Sequence, residues 1–310
     1  MRYSNWIWIV VLVVVIIVGI HLMSANEPVS DEPGVTESVA TSSAESDGVA
    51  TPTEEQPIWL EMPAERKDGY YANAETITIM SNGERNYSCY YDFDTYTSLW
   101  VAYQLEARHM GDCERPNSWT YNPYVSVSDQ VNLCSRSYND DYSRGHLIPN
   151  ASRNGDREMQ HQTFYVTNSV PQVQDGFNGG IWMRLESALQ EVAMQEVVYI
   201  VTGVAFEKMG EEREVIYTSA RNEPEKRVPV PNYFYKVALK VAYNSNGDIE
   251  NAVSVGFWFE NRSYKGGYDD YTQSVDTIEA WTGFDFFATL PDKVESVAER
   301  NSSWSKFKGF

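Results

Sequence analysis

The chain has 310 residues and 42% hydrophobic content, the composition of an ordinary folded protein with room for one large domain or two small ones. Its formal net charge of −20 excludes the broad basic face by which most nucleic-acid binders hold a polyanion through counterion release. The cysteines Cys89, Cys113 and Cys134 form no C-x-x-C pair and no zinc-like spacing, which argues against a thiolate metal site.

From Trp6 to Met23 the sequence WIWIVVLVVVIIVGIHLM has no formally charged residue. At 1.5 Å per residue its length nearly matches a hydrocarbon core. The apolar run is longer than that of an ordinary cleavable signal, so the expectation over 1–23 is an uncleaved anchor, with a secreted product if cleavage occurs. Arg2 precedes the run and an acidic tract follows it, an order that places the N-terminus in the cytoplasm and the rest outside.

Residues 24–57 are mainly Ser, Thr, Glu, Val, Ala and Pro, with Glu27, Asp31, Glu32, Glu37, Glu45, Asp47, Glu54 and Glu55 and no Lys or Arg. This composition reads as a disordered acidic tether, and it removes part of the negative charge from the folded domain expected over 58–310. An exported domain permits a disulfide. The expectation is one bridge, with Cys113 and Cys134 as the candidate pair, and one leftover thiol.

Within the domain, short β-rich runs predict strands over 76–80, 87–91, 99–105, 164–167, 197–204, 233–241 and 252–259. Helical spacing of Trp182, Leu185, Leu189 and Val192 predicts a helix over 180–196, and a second is expected over 275–282. Helices do not alternate regularly with strands, so the expected class is α+β with a mostly antiparallel central sheet and few helices.

The chemistry concentrates in Tyr142-Ser143-Arg144-Gly145-His146-Leu147-Ile148-Pro149, then Thr167-Asn168-Ser169-Val170-Pro171-Gln172, then Phe177-Asn178-Gly179-Gly180-Ile181-Trp182 with Leu185-Glu186. Phosphodiester hydrolysis needs a base for water, a cation for the developing negative charge and a donor that holds the phosphate in line. His146 suits the first role, because an imidazole is neutral near physiological pH and can accept a proton. Asn178 suits the second, since an amide oxygen is a hard neutral ligand and Mg²⁺ takes only one or two protein groups. Asn178, Trp182 and Glu186 stand four apart, a spacing that would put Glu186 near the ion's waters on one helix stripe. Gly145 lets the backbone beside His146 approach closely.

These segments closely resemble the DNA/RNA non-specific endonuclease family, the ββα-metal (His-Me finger) nucleases that include mitochondrial endonuclease G and secreted bacterial nucleases. Further similar pieces are Leu99-Trp100-Val101-Ala102-Tyr103, Arg115 through Trp119 to Pro123, Tyr199 to Gly203, Val230-Pro231 through Tyr235-Lys236, and Asp276 to Pro291. The resemblance covers nearly everything after Ile58. It implies a Mg²⁺- or Mn²⁺-dependent enzyme that cuts DNA and RNA without reading bases and leaves 5′-phosphate and 3′-hydroxyl ends. It implies Asn178 as direct metal ligand, Glu186 as the residue orienting the metal's water shell, Asn168 as support for the base or the phosphate, and Arg115 as the phosphate clamp. Dimers occur in the family, so a homodimer is a possible partner state.

One departure stands out: most of the family has Asp-Arg-Gly-His, and this chain has Ser143. A carboxylate there would organise the site electrostatically, whereas serine can only hydrogen-bond. Ser143 and the net acidity motivate a rival reading, a non-catalytic module of the same fold. A phosphodiesterase of narrower specificity, acting on small cyclic or lipid diesters, is the second rival. Arg144 contacts phosphate or pairs with Asp140 or Asp141. Arg85 and Arg153 are expected to be solvated surface residues, Asp140-Asp141 a solvated turn, and His109 and His161 surface or packing residues without a site role.

Overall fold

The computed structural model describes residues 59–66, 71–116 and 118–310. The expected anchor and the acidic tether lie outside the described residues. Among the described residues no helix is long and apolar enough to cross a membrane.

Seven strands form one sheet in the order β1 (Ala74–Ser81), β2 (Glu84–Asp92), β3 (Thr97–Leu105), β6 (Val198–Ala205), β9 (Tyr233–Tyr243), β10 (Ile249–Glu260), β11 (Thr272–Gln273), and every neighbouring pair is antiparallel. The central strands read as almost continuous apolar runs because both sheet faces are covered. In β9, Phe234 and Ala238 face one core, while Tyr235, Val237 and Leu239 face the other. Each large side chain so buried contributes about 1.5–3 kcal/mol of transfer free energy, so the alternation fixes the register that the sheet needs.

The first face is covered by α2 (Met183–Ala193) through Leu185, Ala188 and Leu189, together with Phe177, Ile181 and Trp182. The second is covered by α3 (Val275–Thr282) and α4 (Asp292–Ala298), through Val275, Ile278 and Ala298, and by Phe284, Phe286 and Phe287 between them. Ser274 caps α3 by accepting from Thr277 N at 3.1 Å, and Gly283 closes it at φ 71°. The remaining helices, α1 (Arg157–Gln162) and α5 (Trp304–Lys308), are single short turns.

Outside the main sheet, β4 (Ser143–His146) pairs antiparallel with β5 (Ser169–Gln172), and β7 (Tyr217–Ala220) with β8 (Glu223–Pro229). The β4–β5 ribbon followed by α2 makes the ββα unit that the family resemblance implies. A third apolar cluster of Trp119, Leu133, Tyr138, Phe164, Val166 and Val228 lies beneath this ribbon.

Several expectations are corrected. Residues 164–167 form no strand: Tyr165 makes a single parallel bridge to Thr120, and 166–168 is a tight turn. All three cysteines are free thiols, so the expected bridge is absent. Cys113 is tied by its backbone to Asn154, while Cys134 packs with the Trp119 cluster, so the two belong to different parts of the structure. Arg153 is fully buried, donating to Asn86 Oδ1 and to the carbonyls of Asn86, Ser152 and Gln104 at 2.6–2.9 Å. Arg85 is buried too and pairs with Glu61. In both cases a full set of acceptors replaces the water that a buried guanidinium must give up.

Candidate active site

A cleft of about 510 Å³ opens between the β4–β5 ribbon and the start of α2, lined among others by Arg115, Trp119, Ser143, Arg144, His146, Gln174, Asn178 and Glu186. Five of the six residues singled out by sequence therefore meet in one concavity. The sixth, Asn168, does not.

The ribbon is held close by Gly145, where a Cβ would stand 2.2 Å from Gln172 Oε1. His146 ends β4 with its ring against Trp119 at 4.5 Å and Phe164 at 4.9 Å between centroids. Its Nε2 is buried and has no hydrogen-bond partner among the described residues. Burial first, and then the guanidiniums of Arg115 and Arg144, hold the imidazole down to about 3, so it is neutral at physiological pH.

After β5 the chain makes an irregular helical turn over Gln174–Trp182, broken at Asp175, at Gly176 with φ 73°, and at Gly180. The expected single stripe of Asn178, Trp182 and Glu186 is thus interrupted. Trp182 is fully buried in the core, while Asn178 and Glu186 reach the cleft from either side of the break. Asn178 Nδ2 donates to Ser143 Oγ at 3.0 Å and to Gln174 Oε1 at 3.1 Å, while Ser143 Oγ donates to Gln172 O at 2.9 Å. Asn178 Oδ1 accepts no hydrogen bond among the described residues, which suits a hard divalent cation holding most of its water.

Glu186 projects from the first turn of α2. Burial raises its carboxyl above the usual range, opposed mainly by Lys236, whose Nζ lies 3.7 Å away. Lys236 is itself fully buried, donates to Thr202 Oγ1 at 2.7 Å and sits 4.5 Å over the Trp182 ring. Sequence reasoning gave it no role, although the lysines Lys236 and Lys240 amid the apolar β9 run were a visible signal. Trp119, which walls the imidazole, lies in the family-like segment from Arg115 to Pro123 but was given no role, and Phe164 on the other contact carried no such signal.

Arg115 is exposed at the rim with its guanidinium 5.2 Å over Phe164. Arg144 lies 5.2 Å over Trp119 and donates to Leu133 O at 2.8 Å. It pairs with neither Asp140 nor Asp141; Asp141 meets Arg221 at 3.2 Å instead. Two cations thus flank the cleft of an acidic protein. Asn168 is fully buried: its Oδ1 accepts from Ile148 N, and its Nδ2 donates to the carbonyls of Ile148 and Thr163, at 2.7–3.0 Å. It clamps the backbone just beyond His146, so of the two expected tasks, support of the base or of the phosphate, its partners match the first.

Residues 73–293 match the family model described as DNA/RNA non-specific endonuclease. The chain belongs to the DNA/RNA non-specific endonuclease family. Members of this family in general require a divalent metal; this chain is a nuclease, a hydrolase acting on nucleic acid. It is 25% identical over 224 residues to the mitochondrial nuclease of Saccharomyces cerevisiae, covering 69% of this chain and 67% of that one. To the nuclease of Nostoc sp. it is 26% identical over 223 residues, covering 70% and 76%. To human endonuclease G it is 30% identical over 172 residues, covering 53% and 55%. The crystal structure of the EndoG/EndoGI complex shares the fold, with a TM-score of 0.57 at 20% identity over 70% of this chain and 88% of that one.

Proposed function

We propose that this endonuclease-family member cuts DNA and RNA internally without reading sequence, with His146 as general base and a divalent cation, Mg²⁺ or Mn²⁺, held by Asn178. The observation that carries the reading is the convergence on one cleft of a neutral imidazole, an amide with its oxygen unengaged and two guanidiniums. With Nε2 buried, Nδ1 is the nitrogen that takes the proton from the attacking water. Arg115 clamps the phosphate with its paired donors, and Arg144 adds positive charge beside it. Glu186, steadied by Lys236, orders water on the far side of the phosphate from His146. The bound cation would supply neutralisation of charge on the phosphoryl and leaving oxygens. Phosphate contacts alone carry no base information, which fits sequence-indifferent cutting.

The test is digestion of plasmid DNA and of RNA by the full-length protein, with Mg²⁺ and with chelator. Cutting is expected to be chelator-sensitive and to fall by roughly 10²–10⁴ in His146→Ala. Undiminished cutting by that variant, or turnover of a small diester but of neither polymer, would overturn the assignment. The apolar run at 6–23 and the acidic tract after it support action outside the cytoplasm from a membrane anchor. Protease added to intact cells should then degrade the nuclease domain.

A further inference from the structure

On the sheet face opposite the cleft, three carboxylates from two helices converge. Asp276 in the first turn of α3, Glu279 one turn later and Glu299 at the C-terminal end of α4 bring carboxylate oxygens within 4.8 Å of one another. The backbone joins them, since Asp276 N donates to Glu299 O at 3.4 Å. Glu279 Oε1 accepts from Phe286 N at 2.8 Å.

Glu299 sets this cluster apart from an ordinary acidic surface. It is 6% exposed, and its Oε1 is buried without a hydrogen-bond partner among the described residues. A buried carboxylate oxygen that no donor meets is strongly unfavourable unless something other than the polypeptide satisfies it. Three carboxylates at this spacing cannot all ionise unaided, so either protons or a cation must hold them together.

Burial first, and then the charges of Glu279, Glu295, Asp276 and Asp285, raise Glu299 to about 9; burial raises Glu279 to about 7 against the Phe286 N–H, with Asp285, Asp276 and Glu295 adding to the rise. The principal charges acting on both groups are negative. A divalent ion reverses that logic by making the ionised forms the stable ones.

We infer that Asp276, Glu279 and Glu299 form a second divalent-cation site, suited to Ca²⁺ and separate from the catalytic cleft, which staples α3 to the end of α4. Calcium fits the donor set: it accepts carboxylates in one- or two-oxygen modes with flexible geometry, and the exposed Asp276 leaves a side open to water. The role is structural, because both helices pack on β10 and the sheet separates them from the cleft.

The test uses full-length protein carrying Asn178→Ala, so that the cleft does not report on the ion. Adding calcium chloride to about 5 mM is expected to raise Tm by about 5 °C, reversed by chelator. Asp276→Asn, an exposed change that leaves folding intact, should cancel most of the rise, and Asp276→Asn with Glu279→Gln all of it. No calcium-dependent rise in the Asn178→Ala protein would overturn the site and leave shared protons as what holds the cluster. A rise that survives in the double carboxylate variant would also overturn it, placing the ion elsewhere.

Discussion

Ser143 has a single hydroxyl proton, and that proton is committed to Gln172 O. Only lone pairs therefore face Asn178, so the amide must present its nitrogen to Ser143 and turn its oxygen outward. An aspartate at this position would also offer only acceptors, which explains how the Ser-Arg-Gly-His version keeps the geometry of the commoner Asp form. Ser143→Ala removes the constraint: about 10–100-fold loss of activity is expected, with metal titrations displaced to higher concentration, and Ser143→Asp should restore both. Equal metal dependence in wild type and Ser143→Ala would remove serine from this role. Protonation states give a second prediction. His146 stays neutral down to about pH 3, so it does not set the acid limb of the rate profile. Glu186, raised by burial, is ionised only above its elevated value, and activity should fall as pH drops through it. The midpoint should lie above the ordinary glutamate value of about 4.3, and Glu186→Gln should erase this limb. The identities of these side chains were legible in the sequence because each residue type matches one chemical task. Which way an amide points was not, since that depends on Ser143 and Gln174 arriving from separate segments.

The ββα unit shows what an element adds to its residues. Its two strands are only four residues each, too short for a period-two pattern, and Pro171 in β5 argues against a strand by its missing donor. The long strands of the main sheet were readable from their β-branched and aromatic runs, whereas the ribbon was visible only through its motif. The same limit applies to the helix start: spacing alone carried the helical stripe back to Asn178, but Gly176 and Gly180 break it and separate Asn178 from Glu186. Asn168 acts at this scale too, joining β5's entrance to Ile148 after His146 by two buried hydrogen bonds and to Thr163 by a third. Asn168→Ala would leave buried Ile148 and Thr163 backbone groups unpaired, at about 1–3 kcal/mol per group. A substantial fall in Tm is expected, readable by thermal unfolding, with kcat falling because the imidazole loses its fixed seat. Unchanged Tm with lost activity would instead indicate direct contact with substrate.

At the scale of the molecule, net acidity and a polyanionic substrate have to be reconciled. Eight of the acidic residues precede Ile58, and residues 58–310 still hold 36 acidic against 23 basic residues, a net −13. What the fold provides is local: the Trp119 cluster holds Arg115 over Phe164 and Arg144 over Trp119, adjoining rings beside His146 in one cleft. The layered architecture was legible from the apolar runs. The covering of both faces, and with it the burial of Lys236, Arg85 and Arg153, was not, because a cation in a strand or a loop reads as solvated until its acceptors are known. Counterion release scales with the number of phosphates neutralised, so a binder relying on two guanidiniums should show a shallow salt dependence. At saturating divalent cation, the logarithm of kcat/KM against the logarithm of salt should fall with a slope of about −2, near 0.9 per phosphate contact. Arg115→Ala should flatten that slope by about 1 and lower kcat/KM on DNA and RNA alike, since phosphate is common to both. A slope of about −6 or steeper in the wild type would reveal an extended basic track and contradict a substrate grip confined to this cleft.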